Sequence, residues 1–194
     1  MAEPFTPTSR GITARFTPEE VQVLTRLFED VALALEPEED PNADPLAALV
    51  GISETASVPS DPAVARMLPV ASDDPEVADE YRRFTDLSLR RAKIEHLTQA
   101  SMDLQAGVVR LDTERANSWA AALNDVRLTL GTRLGITTAE DADRIGEHTD
   151  WGSVESTEDY MSLLYNFVTW LQESLMQSLL LGLEDAGAGP SAPL

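Results

Sequence analysis

Apolar residues at Trp119, Leu123, Val126, Leu130 and Leu134 are spaced by four, three, four and four positions. That spacing keeps the stretch 119–136 on one stripe of a central α-helix, whose start is capped by Asp112 or Thr113. Asn124, Asp125 and Arg127 interrupt this apolar stretch, and Gly131 and Gly135 near its end mark a close backbone approach or a helix stop. A second stripe, Tyr160, Leu164, Phe167, Leu171, Leu175 and Leu179, predicts a final helix from about Thr157 to about Leu183. A third, Val21, Leu24, Leu27, Phe28, Val31 and Leu35, predicts a helix ending near Leu35. Its start is written in Thr17-Pro18-Glu19-Glu20: Thr17 can cap, Pro18 presets φ, and Glu20 can close a capping box. Residues 76–104, opened by Asp74-Pro75, form the longest predicted helix. Their apolar positions drift around the whole circumference, which is the pattern of a helix surrounded by others.

The shorter elements fill the gaps. Residues 12–16 (ITARF) and 108–111 (VVRL) alternate and are β-branched, so each predicts a short strand. Short helices are expected over 45–50, closed by Gly51, and over 63–68, stopped by Pro69. Residues 137–147 predict a short helix or loop. The expected fold is mostly α: a compact bundle of about four long and several short helices with a minimal two-stranded β ribbon. Its organisation is a flexible lead over 1–11, one helical domain over 12–184, and a disordered tail over 185–194.

A weak internal repeat runs through this pattern. At an offset of 95 positions, Arg15/Arg110, Glu19/Glu114, Asp30/Asp125, Val31/Val126, Leu33/Leu128 and Leu35/Leu130 are identical. Leu49-Val50-Gly51-Ile52 also echoes Arg133-Leu134-Gly135-Ile136. Capped amphipathic helices resemble one another without common descent, so two readings stand: chance, or a pseudo-twofold duplication.

Charge narrows the function classes. With 34 acids against 14 bases the net charge is −20, which opposes contact with phosphate backbones and anionic membranes and suits a basic protein partner. Cysteine is absent, which removes disulfides, thiolate metal sites and cysteine nucleophiles. No apolar run approaches the roughly 18–20 residues of a membrane span. The opening residues lack the basic and apolar regions of a secretory signal. A cytoplasmic location is therefore expected. The acidic loop over residues 36–44 lacks calcium-loop spacing and a turn glycine.

The longest helix carries Arg82, Arg83, Arg90, Arg91 and Lys93. At about 100° per residue, Arg82, Arg83, Arg90 and Lys93 share one arc. Exposed, Arg82, Arg83, Arg90 and Arg91 would contact a partner; otherwise the bases of this helix neutralise acids such as Asp79, Glu80 and Asp86 on it. Asn124, Asp125 and Arg127 form a candidate polar network, since a charge in an apolar helix must be paired when buried. The network would either tie this helix to the arginine-rich one or bind a ligand. His96 and His148 are the only histidines, and neither sits in a catalytic or metal-binding motif. No catalytic residue, cofactor or metal site is indicated.

Residues 61–93 (DPAVARMLPVASDDPEVADEYRRFTDLSLRRAK), 119–136 (WAAALNDVRLTLGTRLGI) and 165–180 (YNFVTWLQESLMQSLL) together resemble an actinobacterial family of unknown function that includes AosR-type oxidative stress transcriptional regulators. With PEEVQVLTRLFEDV (18–31), the resemblance covers most of residues 12–183. It implies a non-enzymatic accessory protein of transcription that contacts a sigma factor or RNA polymerase. DNA binding is not expected without that partner, and a homodimer remains open. An adaptor linked to Clp-type proteolysis is the alternative. Regulators of that type sense oxidation through cysteines, which this chain lacks. Its methionines at 67, 102, 161 and 176 have helical settings that predict packing instead.

Overall fold

The computed structural model describes residues 3–37, 57–147 and 150–187. In chain order they form β1 (Glu3–Thr8), β2 (Gly11–Arg15), α1 (Pro18–Leu35), α2 (Pro62–Met67), α3 (Pro75–Leu104), β3 (Val108–Leu111), α4 (Thr113–Arg133), α5 (Ala139–Gly146), a 3-10 turn (Trp151–Ser153) and α6 (Thr157–Gly187). The fold is mostly α, with a small antiparallel sheet ordered β1-β2-β3. The helix expected over 45–50, the Leu49–Ile52 echo, His148 and residues 188–194 of the expected tail lie outside the described residues, as does the acidic loop from residue 38 on.

Local chemistry places the helix starts. Thr17 and Glu20 close the capping box on α1: Glu20 N–H donates to Thr17 Oγ1 at 3.3 Å, and Thr17 N–H donates to Glu20 Oε2 at 2.9 Å. Asp61, Asp74 and Asp112 cap α2, α3 and α4 with their carboxylates. Helix α4 stops where Gly135 adopts φ +69°, with Ile136 N–H bonded to Gly131 C=O and Gly135 N–H to Thr132 C=O. Gly131 is where α6 comes close: a Cβ there would stand 3.4 Å from the Tyr165 ring.

Two expectations are corrected. The sheet has three strands rather than two, because residues 3–8, read as part of a flexible lead, form β1. Prolines at 4 and 7 and alternating threonines conceal the strand, which an edge position tolerates. Phe5 anchors it: its ring is buried, its N–H donates to Ser174 Oγ at 3.2 Å, and its carbonyl accepts from Ser178 Oγ at 2.8 Å, both on α6. Helix α6 also continues to Gly187, beyond the expected end near Leu183.

The core centres on α4, which packs against α1, α2, α3 and α6. Trp119 is fully buried at the sheet end of the bundle. It stacks on Phe16 (6.2 Å, 16°) and meets Phe5 and Phe28 edge-on at 5.5 and 5.7 Å.

The offset of 95 recurs in three dimensions. It carries Ala14 onto Val109, and these two residues face each other in the β2–β3 ladder. It carries the caps and helix starts together, Thr17-Pro18 onto Asp112-Thr113. The buried positions Leu24, Phe28, Val31 and Leu35 fall onto Trp119, Leu123, Val126 and Leu130, all buried. The correspondence breaks at Asp30 and Asp125: the first is exposed, the second lies wholly inside against α3.

Candidate functional site

Helix α3 turns most of its basic arc inward. Arg82 is buried, and its Nη1 donates to Asp79 Oδ1 at 3.0 Å. It lines a shallow cleft with Leu68, Val70, Ala78, Asp86 and Leu89. Arg90 donates from Nε to the buried Asp86 carboxylate at 2.6 Å and from Nη1 to the carbonyl of Leu35 at 3.1 Å. It thereby places a cation at the C-terminus of α1, whose own last turn carries none. Arg83 and Arg91 are exposed. The four arginines are therefore not one surface stripe: Arg82 is buried and pairs within α3, Arg90 bridges α3 to the end of α1, and Arg83 and Arg91 are exposed.

Lys93 joins α3 to α4. Its Nζ lies 2.7 Å from Asp125 Oδ1, and the Asp125 side chain is only 1% exposed. It is the only lysine in the chain. Burial pushes the Asp125 carboxyl above its ordinary value, offset in part by the Lys93 hydrogen bond and charge and by His96. Asp125 Oδ2, His96 Nδ1 and Arg127 Nε are buried without hydrogen-bond partners. Arg127 Nη2 donates to Asn124 Oδ1 at 3.3 Å. Asn124, Asp125 and Arg127 thus divide: Asp125 reaches across to α3, while Asn124 and Arg127 bond to each other along α4. Below them Thr129 Oγ1 donates to the Asp125 carbonyl at 2.9 Å and approaches Met67 Sδ on α2.

A second polar node was not singled out from the sequence. Asp103, near the end of α3, accepts from Trp119 Nε1 at 2.9 Å, from Gln99 Nε2 at 3.0 Å and from Arg115 Nη2. One carboxylate in an acid-rich chain carries no sequence signal. A buried tryptophan that requires an acceptor is the clue, and it gives the need without the partner.

The outward face of α3 is apolar near its start. Val77, Tyr81 and Phe84 are about half exposed and follow one another at helical spacing. Ser88 and Arg91 continue the same line. Acids Asp73, Asp74, Glu76 and Glu80 accompany it. Contrary to the packing expected of the methionines, Met102 on α3 and Met176 on α6 are exposed, because both fall on solvent faces of long helices. Met67 is fully buried.

Among the described residues, no group of three or more histidine, aspartate or glutamate side chains is arranged to hold a metal ion. No helix among them is long and apolar enough to cross a membrane. No curated protein and no solved structure matches the chain. A family profile does match, over residues 2–179, nearly the whole sequence. The chain therefore belongs to the family described as a domain of unknown function, DUF2017.

Proposed function

We propose that this chain is a non-enzymatic accessory protein of transcription, similar to AosR-type regulators, that acts under oxidative stress by contact with RNA polymerase or a sigma factor. The observation that carries the reading is the exposed Val77–Tyr81–Phe84 stripe on α3. A soluble helix that leaves three large apolar side chains in line has a face suited to a partner. Arg83, next to Phe84 in the chain, is exposed, while Arg82 pairs with Asp79 and Arg90 with Asp86 on the same helix. The net charge of −20 favours protein contact over direct contact with DNA.

The test is fluorescence anisotropy of labelled promoter DNA at low and physiological salt, with the chain alone, with polymerase, and with polymerase and sigma factor. The expected result is no binding alone and a tighter complex when the chain joins polymerase and sigma factor. Tyr81→Ala with Phe84→Ala abolishes the effect. Salt-sensitive DNA binding by the chain alone would overturn the reading. Silence in every mixture would overturn it in favour of the adaptor linked to Clp-type proteolysis.

A further inference from the structure

We propose that the corner formed by Trp151 and Tyr160 binds an arginine side chain presented by a basic segment of a partner protein. Trp151 is 53% exposed and Tyr160 40% exposed, and the rings meet edge to face, with centroids 6.3 Å apart and planes at 77°. Val154 beside them is also exposed. The rest of the aromatic cluster geometry in this protein serves the core; this pair stands outside it.

The turn that carries Trp151 and the start of α6 that carries Tyr160 are each fixed by local hydrogen bonds. Asp150 Oδ1 accepts from Gly152 N–H at 2.8 Å, which closes the 3-10 turn under Trp151. Asp159 Oδ2 accepts from the N–H groups of Glu155 and Ser156 at 3.1 and 2.9 Å, and Asp159 N–H donates to Ser156 Oγ at 3.0 Å. These bonds pin the segment between the rings to the start of α6. Two aromatic faces held at a right angle by a braced turn give up little conformational freedom on binding.

Charge selects the ligand. Arg144 is the last basic residue before the C-terminus, and residues 145–194 contain eight acids and neither lysine nor arginine. Glu147, Asp150, Glu155, Glu158 and Asp159 all flank the aromatic pair in the chain. An aromatic face attracts a cation through its quadrupole, and the surrounding negative field excludes phosphate and anionic lipid. Arginine fits better than lysine because its planar guanidinium stacks on an indole and sheds water more readily. This corner is separate from the α3 stripe, and its test contains no transcription component, so either proposal can fail without the other.

The experiment measures anisotropy of fluorescein-labelled ten-residue peptides, alternating Arg-Gly, Lys-Gly or Glu-Gly, against the full chain at 50 and 150 mM NaCl. The Arg-Gly peptide is expected to bind, the Lys-Gly peptide about threefold more weakly, and the Glu-Gly peptide not at all. Trp151→Leu, which keeps apolar bulk without a π-face, is expected to weaken Arg-Gly binding about fivefold, and Trp151→Phe to retain most of it. Both substitutions lie on the surface, and circular dichroism melts verify that each variant is folded. Equal binding by wild type and Trp151→Leu would overturn the proposal, because the negative field alone would then account for the affinity. So would failure of the wild type to bind Arg-Gly at 50 mM NaCl.

Discussion

Replacing Lys93 with methionine tests the joint between α3 and α4. The substitution keeps a long unbranched side chain but strips Asp125 of its cation. The Asp125 side chain is almost fully enclosed, its Oδ2 already lacks a partner, and Lys93 Nζ at 2.7 Å is the neighbour that compensates its charge. Leaving one member of a buried ion pair unpaired costs roughly 3–5 kcal/mol. Lys93 is 23% exposed, so solvent has partial access, and the lower end, about 3 kcal/mol, is expected. In a domain of this size that loss lowers Tm by roughly 6–12 °C. Urea unfolding followed at 222 nm measures it directly.

The pH dependence fixes the sign. Burial raises the Asp125 carboxyl in the folded state, so between its unfolded and folded pKa values the native chain binds more protons than the unfolded one. Its contribution to stability therefore falls as pH rises through that window and recovers on acidification. Removing Lys93 raises the folded value further. The gap between wild type and Lys93→Met is expected to be widest at pH 7.5 and to narrow towards pH 5. Lys93→Met combined with Asp125→Leu is expected to regain most of the loss. A gap below about 1 kcal/mol, or one independent of pH, would refute the argument that enclosure, rather than mere proximity, makes this pair matter.

Other outcomes follow from the same geometry. Asp103→Ala leaves the buried Trp119 N–H without its acceptor and is expected to cost about 2 kcal/mol in the same urea assay. Gly11→Ala places a methyl group on the Leu111 carbonyl at a residue with φ +115°, so a loss of at least about 2 kcal/mol is expected, with weaker hydrogen-exchange protection in β1 and β2. Asp141 closes the cap of α5 by accepting from Thr137 and Thr138, which holds its carboxyl well below the usual range. That contribution is present in full above the unfolded aspartate value and is lost progressively as pH falls from there through the depressed folded value, so Asp141→Asn should matter most at pH 7 and less at pH 3, read from α5 amide exchange. Tyr81→Ala and Phe84→Ala, by contrast, are expected to leave Tm within about 2 °C, since both side chains already face water.

Most of the helical frame was legible because it is written in local chemistry. Thr17, Asp61, Asp74 and Asp112 announce starts through cap atoms within three residues, and Gly135 announces a stop. β1 was not legible, since its stability comes from Phe5 reaching serines about 170 positions away on α6. The inward turn of α3's bases was half legible. Helical spacing grouped Arg82, Arg90 and Lys93 on one arc, but spacing alone cannot say which arc faces the core when apolar residues occupy every side. Asp125 was legible as a charge requiring a partner, whereas Lys93 as that partner depends on how α3 crosses α4. Trp151 left no periodic trace, because it sits on a 3-10 turn, whereas Tyr160 belongs to the stripe that predicts α6 and stands exposed at the start of that helix.

The ladder joining Ala14 to Val109 has a consequence for how the chain is made. The first strands cannot close their sheet until residue 111 has been synthesised, and Phe5, Phe16 and Phe28 meet Trp119 later still. Such distant pairings carry a large loop-closure cost and slow the search for the native state. During synthesis the amino-terminal third therefore waits with three phenylalanines uncovered, a window in which chaperones have a target. A bulky fusion at the N-terminus, next to the strand that seals this cluster, should harm the yield of folded protein more than the same fusion at the C-terminus.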